Sequence, residues 1–65
     1  MKIMVNGEPK VTDAATLEAL CKELGLSEAL VATARNGAFV PKAERRATLL
    51  EEGDAIEVLS PRQGG

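Results

Sequence analysis

Apolar positions in this chain fall into short alternating runs around one helical stripe. Lys2-Ile3-Met4-Val5 alternates with period two, so Met1, Ile3 and Val5 face one side and Lys2 and Met4 the other. Asn6-Gly7 follows, and a type I′ hairpin turn suits it because both central positions need positive φ. The return strand is read at Lys10-Val11-Thr12, with Pro9 at its start, where a missing N–H costs least. The pattern then changes period. Leu17, Leu20, Cys21 and Leu24 stand at i, i+3, i+4 and i+7, one apolar stripe of a helix over about 17–24. Thr16 is placed to cap its N-terminus, and Glu18 complements the positive end of the dipole. Gly25 suits the left-handed position past the end, with Leu26 folding back in a Schellman-type contact.

Beyond a connection at Ser27–Leu30, Val31–Arg35 reads as a third strand and Asn36-Gly37 as a second hairpin turn. Ala38-Phe39-Val40 is a short strand stopped by Pro41. Lys42–Ala47 is charged and small, the composition of one helical turn on the surface, and Leu49-Leu50 is an apolar anchor. Glu51-Glu52-Gly53-Asp54 is a turn cluster. It leads into Ala55–Leu59, a last strand with Ile56 and Val58 inward. A two-stranded hairpin is not stable alone, so the single amphipathic helix must cover one face of a sheet built from all the strands. The expected fold is an α+β roll: a mixed sheet of four to five strands, one main helix and one open face. The first and last strands are expected to pair centrally. Residues 1–60 form the domain, and 61–65 are read as a flexible tail leaving the middle of the sheet.

Composition narrows the chemistry. Sixty-five residues make one small domain, too small to hollow out a deep catalytic pocket. A net charge of −2, a single aromatic residue (Phe39) and no basic stripe argue against nucleic acid as a partner. With no histidine and one cysteine, neither a zinc site nor a Ser-His or Cys-His nucleophile can be assembled. No internal disulfide is possible, and the N-terminal apolar run is too short for a signal peptide or a membrane span. The expectation is a cytoplasmic protein that binds no metal or cofactor, touches no membrane, and is not an enzyme.

Cys21 lies on the helical stripe, which assigns it to core packing, as is common for free cysteine. Asn36 and Asp54 read as turn residues chosen for backbone conformation. Glu51-Glu52 and Arg45-Arg46 read as solvated charge. Met4 and Leu59 should share the open sheet face, where an apolar pair suggests a docking surface. The final Gly64-Gly65 places an unhindered carboxylate behind Pro61-Arg62-Gln63, on backbone that can lie close against another protein.

The order of elements with this ending resembles the β-grasp fold of ubiquitin and the prokaryotic sulfur carriers. Val31-Ala32 leading to Asn36-Gly37-Ala38-Phe39-Val40-Pro41, then Leu50-Glu51-Glu52-Gly53-Asp54-Ala55-Ile56-Glu57-Val58 and the Gly-Gly, resembles the ThiS family of thiamin (thiazole) biosynthesis. Thr33 and Arg35 depart from it, standing where aliphatic residues are frequent, which puts the burial of the third strand in question. The resemblance implies that an E1-like, ThiF-type enzyme uses MgATP to adenylate the Gly65 carboxylate. A persulfide donor then converts it to a thiocarboxylate, which passes sulfur to a ThiG-type thiazole synthase. Gly64, Gln63 and Arg62 would thread into these partners, with Met4 and Leu59 on the docking surface. Alternatives are a MoaD-type carrier for molybdopterin or another thiolated metabolite, a ubiquitin-like modifier joined to lysine through Gly65, and a β-grasp interaction module with an incidental Gly-Gly.

Overall fold

A computed structural model of the chain describes residues 1–60. Two hairpins and a final strand make one five-stranded sheet: β1 Lys2–Val5, β2 Glu8–Val11, β3 Ala32–Arg35, β4 Ala38–Val40 and β5 Ala55–Leu59, in the order β2-β1-β5-β3-β4. β1 and β5 run parallel, with Val5 opposite Ile56, while every other pairing is antiparallel. The helix α1, Leu17–Glu23, packs on one face. This is the β-grasp arrangement the sequence predicts, with the last strand central.

Both hairpins turn as Asn-Gly demands. Asn6 and Asn36 each have φ 51°, with Gly7 at 84° and Gly37 at 85°. Their side chains do more than tolerate the turn. Asn6 Nδ2 donates to Val58 O at 3.2 Å and its Oδ1 accepts from Val58 N at 2.8 Å, so the amide imitates another strand residue beside β5. Asn36 Oδ1 likewise accepts from Ala55 N at 2.9 Å. Each turn is thereby fastened to the strand between the hairpins.

The helix follows its sequence signals. Thr16 is the N-cap, its hydroxyl accepting from Ala19 N at 3.1 Å. At the other end Leu26 N donates to Cys21 O and Gly25 N to Lys22 O, both at 3.0 Å, the paired bonds of a Schellman motif. Leu17, Leu20 and Cys21 are fully buried, with Leu24 partly so. They pack with Ile3, Ile56, Val40, Leu50 and Ala14, and with half-buried Val5 and Val58.

Several local readings need correction. The return strand runs Glu8–Val11, starting one residue ahead of Pro9 and ending before Thr12; Pro9 lies opposite Met4 on an edge strand, where a missing donor breaks no central ladder. Of the Leu49-Leu50 pair only Leu50 is buried, since Leu49 points outward beside its bridge to Thr16. The Lys42–Ala47 segment is a 3-10 turn, but it is not wholly a solvated one. Arg45 is 2% exposed, while Arg46 is exposed. Thr33 is also buried, which answers the question over β3: its inward side chains are polar, and they are satisfied.

Candidate functional site

Alternation along the central strands decides what faces away from the helix. With Ile3, Thr33, Val40 and Ile56 buried, their neighbours Met4, Ala34, Phe39, Glu57 and Leu59 fall on the opposite face. The register sets Ala34 beside both Phe39 and Glu57, and Ala32 beside Leu59. Phe39 is 69% exposed and Leu59 71%, so the sheet carries an uncovered apolar area at its β5-β3-β4 side. Met4 is only half-buried and lies toward the other end of β5, opposite Ala55. The two residues expected on the docking surface therefore share a face without forming one cluster. Phe39 is the side chain that joins Leu59, and the outward phase of β4 was the signal for it.

A second apolar surface adjoins the first at the end of the central strands. Ala29, Leu30, Val31, Ala32, Leu59 and Ser60 line an open groove where β5 ends. Leu30, 48% exposed, forms one wall from the 3-10 turn Glu28–Leu30. The remaining residues assigned to function, Arg62, Gln63, Gly64 and Gly65, lie outside the described residues.

Two polar constellations brace β3 and β5, one at each end of the pair, and sequence reading missed both. Arg45 spreads its guanidinium under β3. Nε donates to Thr33 Oγ1 at 3.0 Å, one Nη to Glu28 O at 2.8 Å and the other to Val31 O at 2.7 Å. All three acceptors are uncharged oxygens. Thr33 Oγ1 in turn donates a hydrogen bond to Val40 O at 2.9 Å, linking β3 to β4.

The other constellation centres on Asp54, read from sequence as a turn residue. It is 5% exposed, accepts from Arg35 Nε at 2.7 Å and Asn36 Nδ2 at 3.0 Å, and caps Glu51 N at 2.8 Å. The Arg35 guanidinium and these donors hold its carboxyl below the usual carboxylate range, against the opposing cost of burial. Glu51 comes within 3.8 Å of the same guanidinium and Glu52 accepts from Lys2 N at 3.0 Å, while both stay exposed as solvated charge. This network joins the second hairpin to the turn before β5 and fixes the strand's entry.

Cys21 presents no reactive thiolate. It is fully buried, and burial pushes its thiol up despite the opposing influence of Arg45. Among the described residues no group of three or more His, Cys, Asp or Glu could hold a metal ion, and no helix is long and apolar enough to cross a membrane. The described residues offer apolar surfaces suited to docking.

Comparison with known proteins gives the same outline. The model of the ThiS family matches residues 3–65. A crystal structure of the thiamine biosynthesis protein ThiS from Geobacter metallireducens superposes with a TM-score of 0.82 at 32% identity, covering all of both chains. A solution structure of a thiamine biosynthesis protein from that organism gives 0.76 at 32% identity, over 91% of this chain and 81% of the other. Two curated relatives are thiazole synthases, from Magnetococcus marinus at 44% identity and Paramagnetospirillum magneticum at 38%, each matched by the whole of this chain. The chain spans about a fifth of their length, 20% in both cases.

Proposed function

The chain belongs to the ThiS family, and we propose that it is a sulfur carrier for thiazole formation in thiamin biosynthesis, a protein co-substrate with no catalysis of its own. The observation that carries this reading is a family match extending to Gly65, on a fold that superposes along its whole length with a ThiS protein. The exposed apolar areas beside Leu59 support it, since a carrier must be gripped by larger partners.

In a chain ending at Gly65, the terminal carboxylate is a poor electrophile because its carbonyl is conjugated with a full negative charge. An E1-like activating enzyme with MgATP would let a carboxylate oxygen attack the α-phosphorus, releasing pyrophosphate and leaving an acyl adenylate. A persulfide sulfur would then displace AMP at the carbonyl carbon. A thiol would cleave the resulting acyl disulfide, and a thiocarboxylate would remain. Glycine leaves that carbonyl open to attack, because there is no Cβ to crowd the approach. The thiazole synthases that contain a domain like this one support a ThiG-type enzyme as the acceptor.

The test is ATP-dependent AMP formation with a ThiF-type enzyme, followed by intact mass for replacement of one oxygen by sulfur. Gly65 deletion should abolish both, because loss of one residue shortens the reach by about 3.3–3.6 Å. Misplacement by 1 Å alone can cost about a hundredfold in rate. A chain activated only by a molybdopterin-type enzyme, or recovered joined to lysines, would refute the proposal.

A further inference from the structure

The Glu28–Leu30 turn forms a wall of the apolar groove, yet little of its own holds it there. None of its residues is buried, and Ser27 gives it no side-chain cap. Its firm attachment is Arg45, which binds Glu28 O inside the turn, Val31 O just past it, and Thr33 on β3. A buried guanidinium facing neutral oxygens is a costly way to fill space, and an apolar side chain of similar volume would cost less. What the planar fork supplies is three directed bonds at fixed angles. Those bonds hold the turn from which Leu30 lines the groove together with Leu59.

We propose that Arg45 is a positioning residue for docking: it holds the Glu28–Leu30 turn so that Leu30 and Leu59 form the seat for a thiazole synthase. The proposal rests on the carrier reading and adds to it the seat and the residue that builds it. Two observations point to this occupant, the first calling for a partner that reacts with Gly65 and the second choosing the synthase over the activating enzyme. The groove ends at Ser60, and residues 61–65 reach at most about 16–18 Å beyond it. An enzyme that reacts with Gly65 must therefore cover the surface around Ser60. In two relatives, moreover, a domain 38% or 44% identical to this chain is part of a thiazole synthase, where a shared chain raises the effective concentration of the two bodies.

The experiment uses full-length thiocarboxylated chain as the varied substrate of a ThiG-type thiazole synthase, at a temperature where every variant is verified as folded. Arg45→Met and Leu30→Asp should each raise KM about tenfold and leave kcat within twofold, because neither residue belongs to 61–65, the stretch that carries the reacting terminus. Arg45→Lys, keeping one donor, should fall between. Hydrogen exchange should quicken at Glu28–Val31 in Arg45→Met but not in Leu30→Asp. If Arg45→Met does not fold, Arg45→Lys and Leu30→Asp carry the comparison. Unchanged KM in a folded Arg45 variant overturns the positioning role, and unchanged KM in Leu30→Asp overturns the groove as the seat. A rise in KM confined to the activating enzyme assigns the groove to that enzyme and also overturns the proposal. A parent chain that forms thiocarboxylate but passes no sulfur to the synthase would instead defeat the carrier reading, and the occupant with it.

Discussion

Thr33 and Arg45, twelve positions apart, share one buried hydrogen bond, Arg45 Nε donating to Thr33 Oγ1 at 3.0 Å. The hydroxyl works in both directions, because it also donates to Val40 O. Thr33→Val keeps the shape of the side chain but removes an acceptor from a buried cation and a donor from a strand carbonyl. Leaving buried polar groups unpaired costs about 1–3 kcal/mol. In a domain of this size each kcal/mol moves Tm by roughly 4–8 °C. Thermal unfolding of Thr33→Val should therefore show a clear drop, and a midpoint within 2 °C of the parent, about a quarter to half of the shift for one kcal/mol, would mean the bond contributes nothing.

Cys21 tests the opposite kind of residue, buried and apolar in role. Cys21→Ala should lower stability by about 1–2 kcal/mol through a small cavity and leave thiocarboxylate formation intact. In the folded parent, thiol reagents should label Cys21 slowly, at a rate set by opening of the core. Loss of sulfur loading in a folded Cys21→Ala chain would assign the thiol a chemical part.

What the sequence made legible was everything with a period or a punctuation mark. The stripe Leu17-Leu20-Cys21-Leu24, both Asn-Gly turns, Gly25 and the inward Ile56 and Val58 all act through local backbone rules, and the structure places each as read. Arg45 and Asp54 were not legible for a common physical reason. Each is a charged residue buried by partners distant in sequence, Asp54 meeting Arg35 nineteen residues away, and no period announces such a pairing. Arg45 sits in a 3-10 turn next to exposed Arg46, so composition alone made the two look alike. The docking face was legible in phase but not in extent, since alternation places Met4 and Leu59 on one side without revealing that Phe39 clusters with Leu59 and Met4 does not.

That face gives a third prediction. Leu59→Asp and Phe39→Asp alter exposed side chains, so each should change stability by no more than about 0.5 kcal/mol. Each should weaken binding to the activating enzyme about tenfold, measured by anisotropy of a labelled chain, since truncating a central interface residue commonly costs more than about 1 kcal/mol. Met4→Asp should behave differently and cost stability, because Met4 is half-buried against its neighbours. Unchanged affinity for both folded variants would move the interface off this side of the sheet.

The Asp54–Arg35 pair makes stability depend on pH in a direction that can be stated in advance. Asp54 is held below the ordinary carboxylate value, first by its hydrogen bond to Arg35 and then by Asn36 and Glu51 N. A carboxylate with a lowered native pKa favours folding wherever it is ionised in both states. Its contribution is therefore full near neutrality. As pH falls past the unfolded value of about 3.9, the unfolded chain takes up the proton first, and the contribution shrinks until the native carboxyl is also protonated. Asp54→Asn should cost about 2 kcal/mol at pH 7, in the range for hydrogen bonds to charged groups. The gap between parent and variant should narrow steadily below about pH 4. Urea unfolding from pH 7 to pH 2.5, spanning that value of about 3.9, measures it directly. A gap that stays constant over that range would mean that the carboxylate serves only as a turn residue and that its pairing with Arg35 contributes no net stability.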